Sequence, residues 1–170
     1  KPCGYKRVIR NLKIEYDVII MPELEADDAM GIFATKFEGN IIVSPDKDMR
    51  QIPGKLYNLE DTTTITAQEG ARWHLIQTLA GDQTDGYSGV PGIGVKRAET
   101  LFNKEGYSWS TVVKAFKDKG LTEEDALLNA RLARILTDED YDSRTQKPKL
   151  WSPESTYEVN DGTGLQDESD

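Results

Sequence analysis

The sequence predicts an α/β chain in two parts. A parallel-sheet region spans residues 1–66, an all-helical region 67–140, and an acidic, partly disordered tail 141–170. Three observations predict this. Asp17-Val18-Ile19-Ile20-Met21 and Ile41-Ile42-Val43 are short apolar runs, as buried strands require. Between them Ala26, Ala29, Met30, Phe33, Ala34 and Phe37 recur at helical spacing, completing a strand–helix–strand unit that argues for a parallel sheet. From Ala67 onward the apolar pattern is helical throughout.

The elements follow in order. Val8, Ile9, Leu12 and Tyr16 form one stripe, so residues 5–16 are expected to be an amphipathic helix. Pro22 closes the first expected strand, over 18–21, and Gly39-Asn40 stops the helix over 25–37. Residues 46–52 suit a short helical turn. The alternation over 55–59 and the β-branched run over 62–65 suit a strand pair joined as a hairpin. Further helices are expected over 67–80, 95–104, 109–118 and 122–137, and disorder over the last ten residues.

The chain has 170 residues with 37% hydrophobic content, enough for a core. No run of 18 apolar residues exists, so no membrane partner is expected. Cys3 is the single cysteine, which excludes an internal disulfide and a cysteine-based zinc site and fits a cytosolic setting.

Charge is unevenly distributed. The net charge is −9, and residues 138–170 hold 10 acidic against 3 basic residues. The body, residues 1–137, holds 20 acidic and 18 basic residues. Seven of those acids fall in three short clusters: Glu25, Asp27 and Asp28; Asp46 and Asp48; Asp82 and Asp85. Without these seven the body would carry +5, from 18 basic and 13 acidic residues. A mildly basic surface around an acidic focus suits an enzyme that holds divalent cations and grips a polyanion.

Each cluster falls where a ligand site is expected. The first opens a helix, whose dipole favours carboxylates. The second follows a strand directly, and ligands of parallel sheets gather at carboxyl ends. The third lies in the loop Gly81-Asp82-Gln83-Thr84-Asp85-Gly86. Converging carboxylates repel one another, and all-oxygen sites suit Mg²⁺ or Mn²⁺. Two such ions can clamp a phosphodiester.

Gly89-Val90-Pro91-Gly92-Ile93-Gly94-Val95-Lys96-Arg97-Ala98 has the form of a helix–hairpin–helix. Its glycines let the backbone approach a phosphate, and free amides of the new helix can bind it. Lys96 and Arg97 add charge without reading sequence. The expected DNA-binding residues are Gly89, Val90, Gly92, Ile93, Gly94, Lys96 and Arg97.

Taken in order, Glu25-Ala26-Asp27-Asp28, Ser44-Pro45-Asp46-Lys47-Asp48, Gly81-Asp82 through Asp85, and Gly89 through Ala98 resemble the structure-specific 5′ nucleases, flap endonucleases and 5′→3′ exonucleases, in their phage branch. The resemblance covers about residues 5–140. It implies a PIN-like α/β domain, a helical DNA-binding part, and two-metal hydrolysis of DNA, or RNA in hybrids, from a 5′ end or flap, in phage replication or recombination within the host cytoplasm. By position, Glu25, Asp27, Asp46 and Asp48 match first-site carboxylates. Asp85 matches a second-site ligand, with Asp28 and Asp82 as supporting acids; Asp46, Asp48 and Asp85 are the expected catalytic carboxylates. The resemblance also implies a K⁺ or Na⁺ on hairpin carbonyls, and double-stranded or flapped DNA as partner. The family's first aspartate-bearing strand and its basic arch match nothing here and would lie before Lys1. The chain is therefore expected to be a carboxyl-terminal portion working with a separate amino-terminal half.

His74, the single histidine, is expected to be structural or at the surface, and Trp73, Trp109 and Trp151 to be packing residues. Lys114, Lys117 and Lys119 suit either the DNA backbone or a solvated face. The alternative function is a non-catalytic duplex-DNA-binding module that keeps the hairpin. A base-excision glycosylase, which also uses a glycine hairpin, leaves the clusters at 25–28 and 46–48 unexplained.

Overall fold

The computed structural model describes residues 2–155, so the disorder expected for the last ten residues lies outside the described residues. Helix α1 spans Tyr5–Glu15, as its stripe predicts, yet buries no residue. Helix α2 spans Ala26–Lys36, with Glu25 as its N-cap residue. Strand β1 (Ile41–Val43) leads into a 3₁₀ turn over Lys47–Gln51, whose amino end the Asp46 side chain caps by accepting the Asp48 amide. Strands β2 (Gly54–Tyr57) and β3 (Thr62–Ile65) follow, and β3 pairs antiparallel with β2 as the expected hairpin.

The expected strand over 18–21 does not form. Those residues have no regular structure, and Val18, Ile19 and Ile20 are 45%, 54% and 66% exposed. Its apolar composition suits a strand, but a strand also needs a neighbour, and among the described residues β1 pairs with β2 alone. The parallel pairing is therefore between β1 and β2, with Ile42 beside Leu56, and the crossover runs through 44–53. Ile42, Met49, Ile52, Leu56 and Ile135 form the core under this small sheet.

Helix α3 (Ala67–Ala80) opens with a capping box of Thr66 and Glu69. It packs on the 3₁₀ turn, on α4 (Val95–Glu105) and on α6 (Glu123–Ala133), while α5 (Trp109–Lys117) packs on α3 and α6. A second core, centred on Leu79, Phe102, Val112, Phe116 and Ala126, fills this group. Gly70 lets α3 lie against the 3₁₀ turn, because a Cβ there would overlap the Gln51 carbonyl oxygen.

Helix α6 ends at Ala133, short of the expected 137. The chain then runs extended because other elements take its backbone donors. Ile135 donates to Gln51 Oε1 at 3.1 Å and Leu136 to Asp28 Oδ1 at 3.0 Å. Gln51 itself is buried and donates from Nε2 to Gln77 Oε1 and the Ala133 carbonyl. Residues 141–142 (β4) and 147–148 (β5) form a small antiparallel pair. Beyond it Trp151 is buried, edge-on to His74 at 5.0 Å and to Trp109 at 5.4 Å. His74 is fully buried, with Nε2 2.7 Å from the Ala130 carbonyl, in a structural role as expected. Among the described residues, no helix is long and apolar enough to cross a membrane.

Candidate active site

All three carboxylate clusters reach one region. A cleft of ≈ 530 Å³ is lined by Glu25, Asp27 and Asp28 from the start of α2, by Asp48, and by Asp85 from the loop after α3. The local reasons are plain. Asp46 is the cap of the 3₁₀ turn, which turns Asp48 inward to a half-buried position. The 81–89 loop is closed by reciprocal backbone hydrogen bonds between Asp82 and Tyr87, at 2.9 and 3.0 Å. Within it, Asp82 Oδ1 accepts the Thr84 amide at 2.8 Å.

Asp48, Asp82 and Asp85 each offer a carboxylate oxygen within 4.8 Å of the other two. Asp48 Oδ1 is buried and has no hydrogen-bond partner among the described residues. A buried, unpartnered carboxylate oxygen beside two other carboxylates is costly. A hard divalent cation would satisfy it, and an all-oxygen donor set fits such an ion.

The electrostatics agree. Burial, and then the neighbouring Asp46 charge, push the Asp48 carboxyl up to about 6; Lys47 opposes this and Asp82 and Asp85 add to it. Asp27 is also raised, first by burial and then by Asp46, Glu25, Asp28 and Asp85. Asp27 therefore feels members of all three groups. Asp82 moves the other way, held down chiefly by the Thr84 amide. The Thr84 side chain, Lys47 Nζ at 3.8 Å and the Asp85 amide add to this.

The members differ in their commitments. Asp28 Oδ1 is engaged by the Leu136 amide, so this acid ties α2 to the extended segment after α6. Asp46 Oδ1 accepts the Asp48 amide at 2.9 Å. Glu25 and Asp85 are exposed. Tyr87, Arg131 and Lys149 line the same cleft, and they fall outside every motif that the sequence singles out. Tyr87 is buried, its hydroxyl raised by burial and then by Asp48, Asp82 and Asp85. An aromatic two residues after Asp85 was the available signal for Tyr87. Nothing local marks Arg131 or Lys149.

The glycine-rich turn lies between α3 and α4. Gly89 and Val90 are buried: Gly89 donates to Asn129 Oδ1 at 2.9 Å, and Val90 donates to the Leu79 carbonyl at 2.8 Å. Gly89 needs its φ of 60°, and a Cβ there would meet the backbone of Leu79, Ala80 and Gly81. Ile93 is partly buried, its amide bound to the Val90 carbonyl at 3.0 Å. Gly92, Gly94, Lys96 and Arg97 are exposed, and Arg97 Nη1 donates to the Gly92 carbonyl at 2.6 Å. At the start of α4 the Arg97 and Ala98 amides both donate to the Gly94 carbonyl, each at 3.0 Å, and those of Val95 and Lys96 precede the first helical acceptor. Lys114 and Lys117 are engaged with Glu105 at 2.7 Å and Glu123 at 3.8 Å.

The chain is 30% identical to an exodeoxyribonuclease of Enterobacteria phage T3, across 91% of this chain and 65% of the relative. It is 30% identical to an exonuclease of Escherichia phage T7, across 90% of this chain and 64% of the relative. It is 32% identical to a 5′-3′ exonuclease of Mycobacterium tuberculosis, across 66% of this chain and 42% of the relative. The chain is thus similar to exonucleases of phages and to 5′-3′ exonucleases of bacteria. It spans slightly less than two thirds of the length of the phage relatives it matches. No family model matches it.

Proposed function

We propose that this chain carries the metal-binding and DNA-binding part of a 5′→3′ exonuclease or flap endonuclease, serving phage replication or recombination in the host cytoplasm. The observation that carries the reading is the buried, unpartnered Asp48 Oδ1 beside Asp82 and Asp85, in a chain related to exonucleases. Asp48, Asp82 and Asp85 would hold one Mg²⁺ or Mn²⁺, with Glu25, Asp27 and Asp46 extending the donor set toward a second. When bound, such ions supply an activated water and stabilise the leaving oxygen of a phosphodiester. Asp28 contributes by holding the cleft together.

The glycine-rich turn serves this reading as a helix–hairpin–helix on a PIN-like α/β part. The exposed amides at Gly92, Gly94 and the start of α4 would meet duplex phosphates, with a K⁺ or Na⁺ on nearby carbonyls. Lys96 would add charge, and Arg97 would brace the turn through Gly92.

The reading includes a separate amino-terminal half as partner. Support comes from the open edge of β1, where Ile41 and Val43 are 51% and 57% exposed, and from the exposed Val8 and Leu12 of α1. Unpaired strand edges invite a partner strand. The test is cleavage of 5′-labelled flap DNA in Mg²⁺, with and without a polypeptide supplying that half. Little cleavage alone and restored cleavage with the partner is the expected result. Robust cleavage by this chain alone, lost in Asp85→Ala, would overturn the split arrangement. Absence of cleavage in both arms would remove the nuclease reading.

A further inference from the structure

The carboxylate cleft poses an electrostatic problem for its substrate. Glu25, Asp27, Asp28, Asp48 and Asp85 all line it, and a nucleic-acid strand entering it carries one negative charge per nucleotide. Fixed cations are needed beside the carboxylates, and they must not be spent on them.

Among the described residues three basic ones line the cleft, Arg131, Arg134 and Lys149. Arg134 is committed: its Nε and Nη2 both reach Asp140 Oδ2, at 3.1 and 2.6 Å, in a largely buried pair. Arg131 and Lys149 are different. Among the described residues neither forms an ion pair, although acids line the same cleft. Each is tethered by a neutral backbone acceptor instead. Arg131 Nε donates to the Trp151 carbonyl at 3.1 Å, and Lys149 Nζ donates to the Glu139 carbonyl at 2.9 Å.

The tethers are structural. Trp151 is 4% exposed and wedged against His74 and Trp109, so the carbonyl that holds Arg131 is itself anchored to the helical core. The Lys149 amide is bound to the Asp140 carbonyl at 2.7 Å, which fixes where that side chain departs. A guanidinium has five donors, and one N–H of Arg131 is used here. The remaining fork is pre-oriented, which lowers the ordering cost of a bidentate phosphate contact.

We propose that Arg131 and Lys149 form a phosphate-binding rim on the carboxylate cleft, gripping the sugar-phosphate backbone of the strand that enters it. The proposal rests on the nuclease reading above and adds residues from outside its motifs. Residues 147–151 then have a double role, closing the cleft and bringing a cation to it.

The test is equilibrium binding of a fluorescent flap DNA to the full 170-residue chain in Ca²⁺, across a salt series. Each phosphate contact adds about one to the slope of log affinity against log salt. Arg131→Gln with Lys149→Gln should lower that slope by about two, and Lys149→Gln alone by about one. Lys55→Gln, on β2, should leave it unchanged. Lys149 lies exposed on the surface, so its single variant decides the question if the double variant misfolds. DNA binding with an unchanged slope in Lys149→Gln, or an equal drop in Lys55→Gln, overturns the rim and leaves the nuclease reading standing. Failure of the unaltered chain to bind DNA removes both.

Discussion

Asp28 Oδ1 accepts the amide of Leu136 at 3.0 Å, joining the start of α2 to the extended segment that leaves α6, 108 residues away in sequence. An acid that sequence position alone would count among metal-supporting groups is a cross-link of the fold. Asp28→Asn keeps an acceptor oxygen and should retain most of the metal-free stability. Asp28→Ala leaves a partly buried amide without its partner and should cost about 1–3 kcal/mol. Urea denaturation in EDTA distinguishes the two. Equal losses in both variants would mean that the carboxylate charge, not the hydrogen bond, matters there.

Divalent metal should stabilise the folded chain. A ligand that binds only the native state adds about 2.7 kcal/mol at a hundredfold excess over its Kd. Thermal melts in Mg²⁺ or Mn²⁺ should exceed those in EDTA, and Asp48→Asn should abolish the shift. Superimposed melts for the unaltered chain would show that Asp48, Asp82 and Asp85 organise no cation.

The exposed glycine turn should govern duplex affinity. Gly92 has a φ of 81°, so Gly92→Val strains the backbone as well as crowding the amides. Duplex binding should weaken in Gly92→Val, and weaken less in Lys96→Ala with a salt slope lower by about one. Anisotropy titrations at several salt concentrations check both, and unchanged binding in both variants would leave the turn a purely structural connection.

His74 should make stability acid-sensitive. Burial lowers its imidazole from 6.5 to about 4, with Arg134 adding to the effect. Its folded pKa is depressed, so the unfolded chain takes up a proton first as pH falls. The contribution is fully present above pH 6.5 and is lost as pH falls through about 4, an effect of about 3 kcal/mol. Chemical denaturation at pH 7, 5.5 and 4 should show this loss, and His74→Gln should flatten that part of the profile. Parallel profiles would refute it.

Much of the chain was legible because its signals are local. Helix α3 announced itself through its helical periodicity, and the turn carrying Asp46 and Asp48 through its place after an apolar run. The segment Val18–Ile20 misled because its composition suits a strand while strand formation depends on a neighbour. The end of α6 was illegible for a related reason: Gln51 and Asp28, far away in sequence, take the amides of Ile135 and Leu136. The cleft's carboxylates could be named from their motifs. Its cations could not, since Lys149 sits in an acidic stretch and is set at the cleft by the Glu139 and Asp140 carbonyls. Gly31 and Gly70 are likewise silent in sequence. In a helix each reads as a weak position, yet a Cβ would strike the Leu136 and Gln51 carbonyl oxygens respectively.

The Gln51 side chain bears on how the molecule opens. It joins the turn carrying Asp48 to α3 through Gln77, to the end of α6 through Ala133, and to the extended segment that follows through Ile135. Local opening of any one of these would strand a buried amide group in the others. The turn, α3, the end of α6 and the segment after it should therefore behave as one cooperative unit in native-state hydrogen exchange. The Ile135 amide should exchange only through global unfolding, whereas amides of α1, which buries nothing, should exchange through local fraying. One backbone proton beside the cleft would then report the free energy of the whole fold.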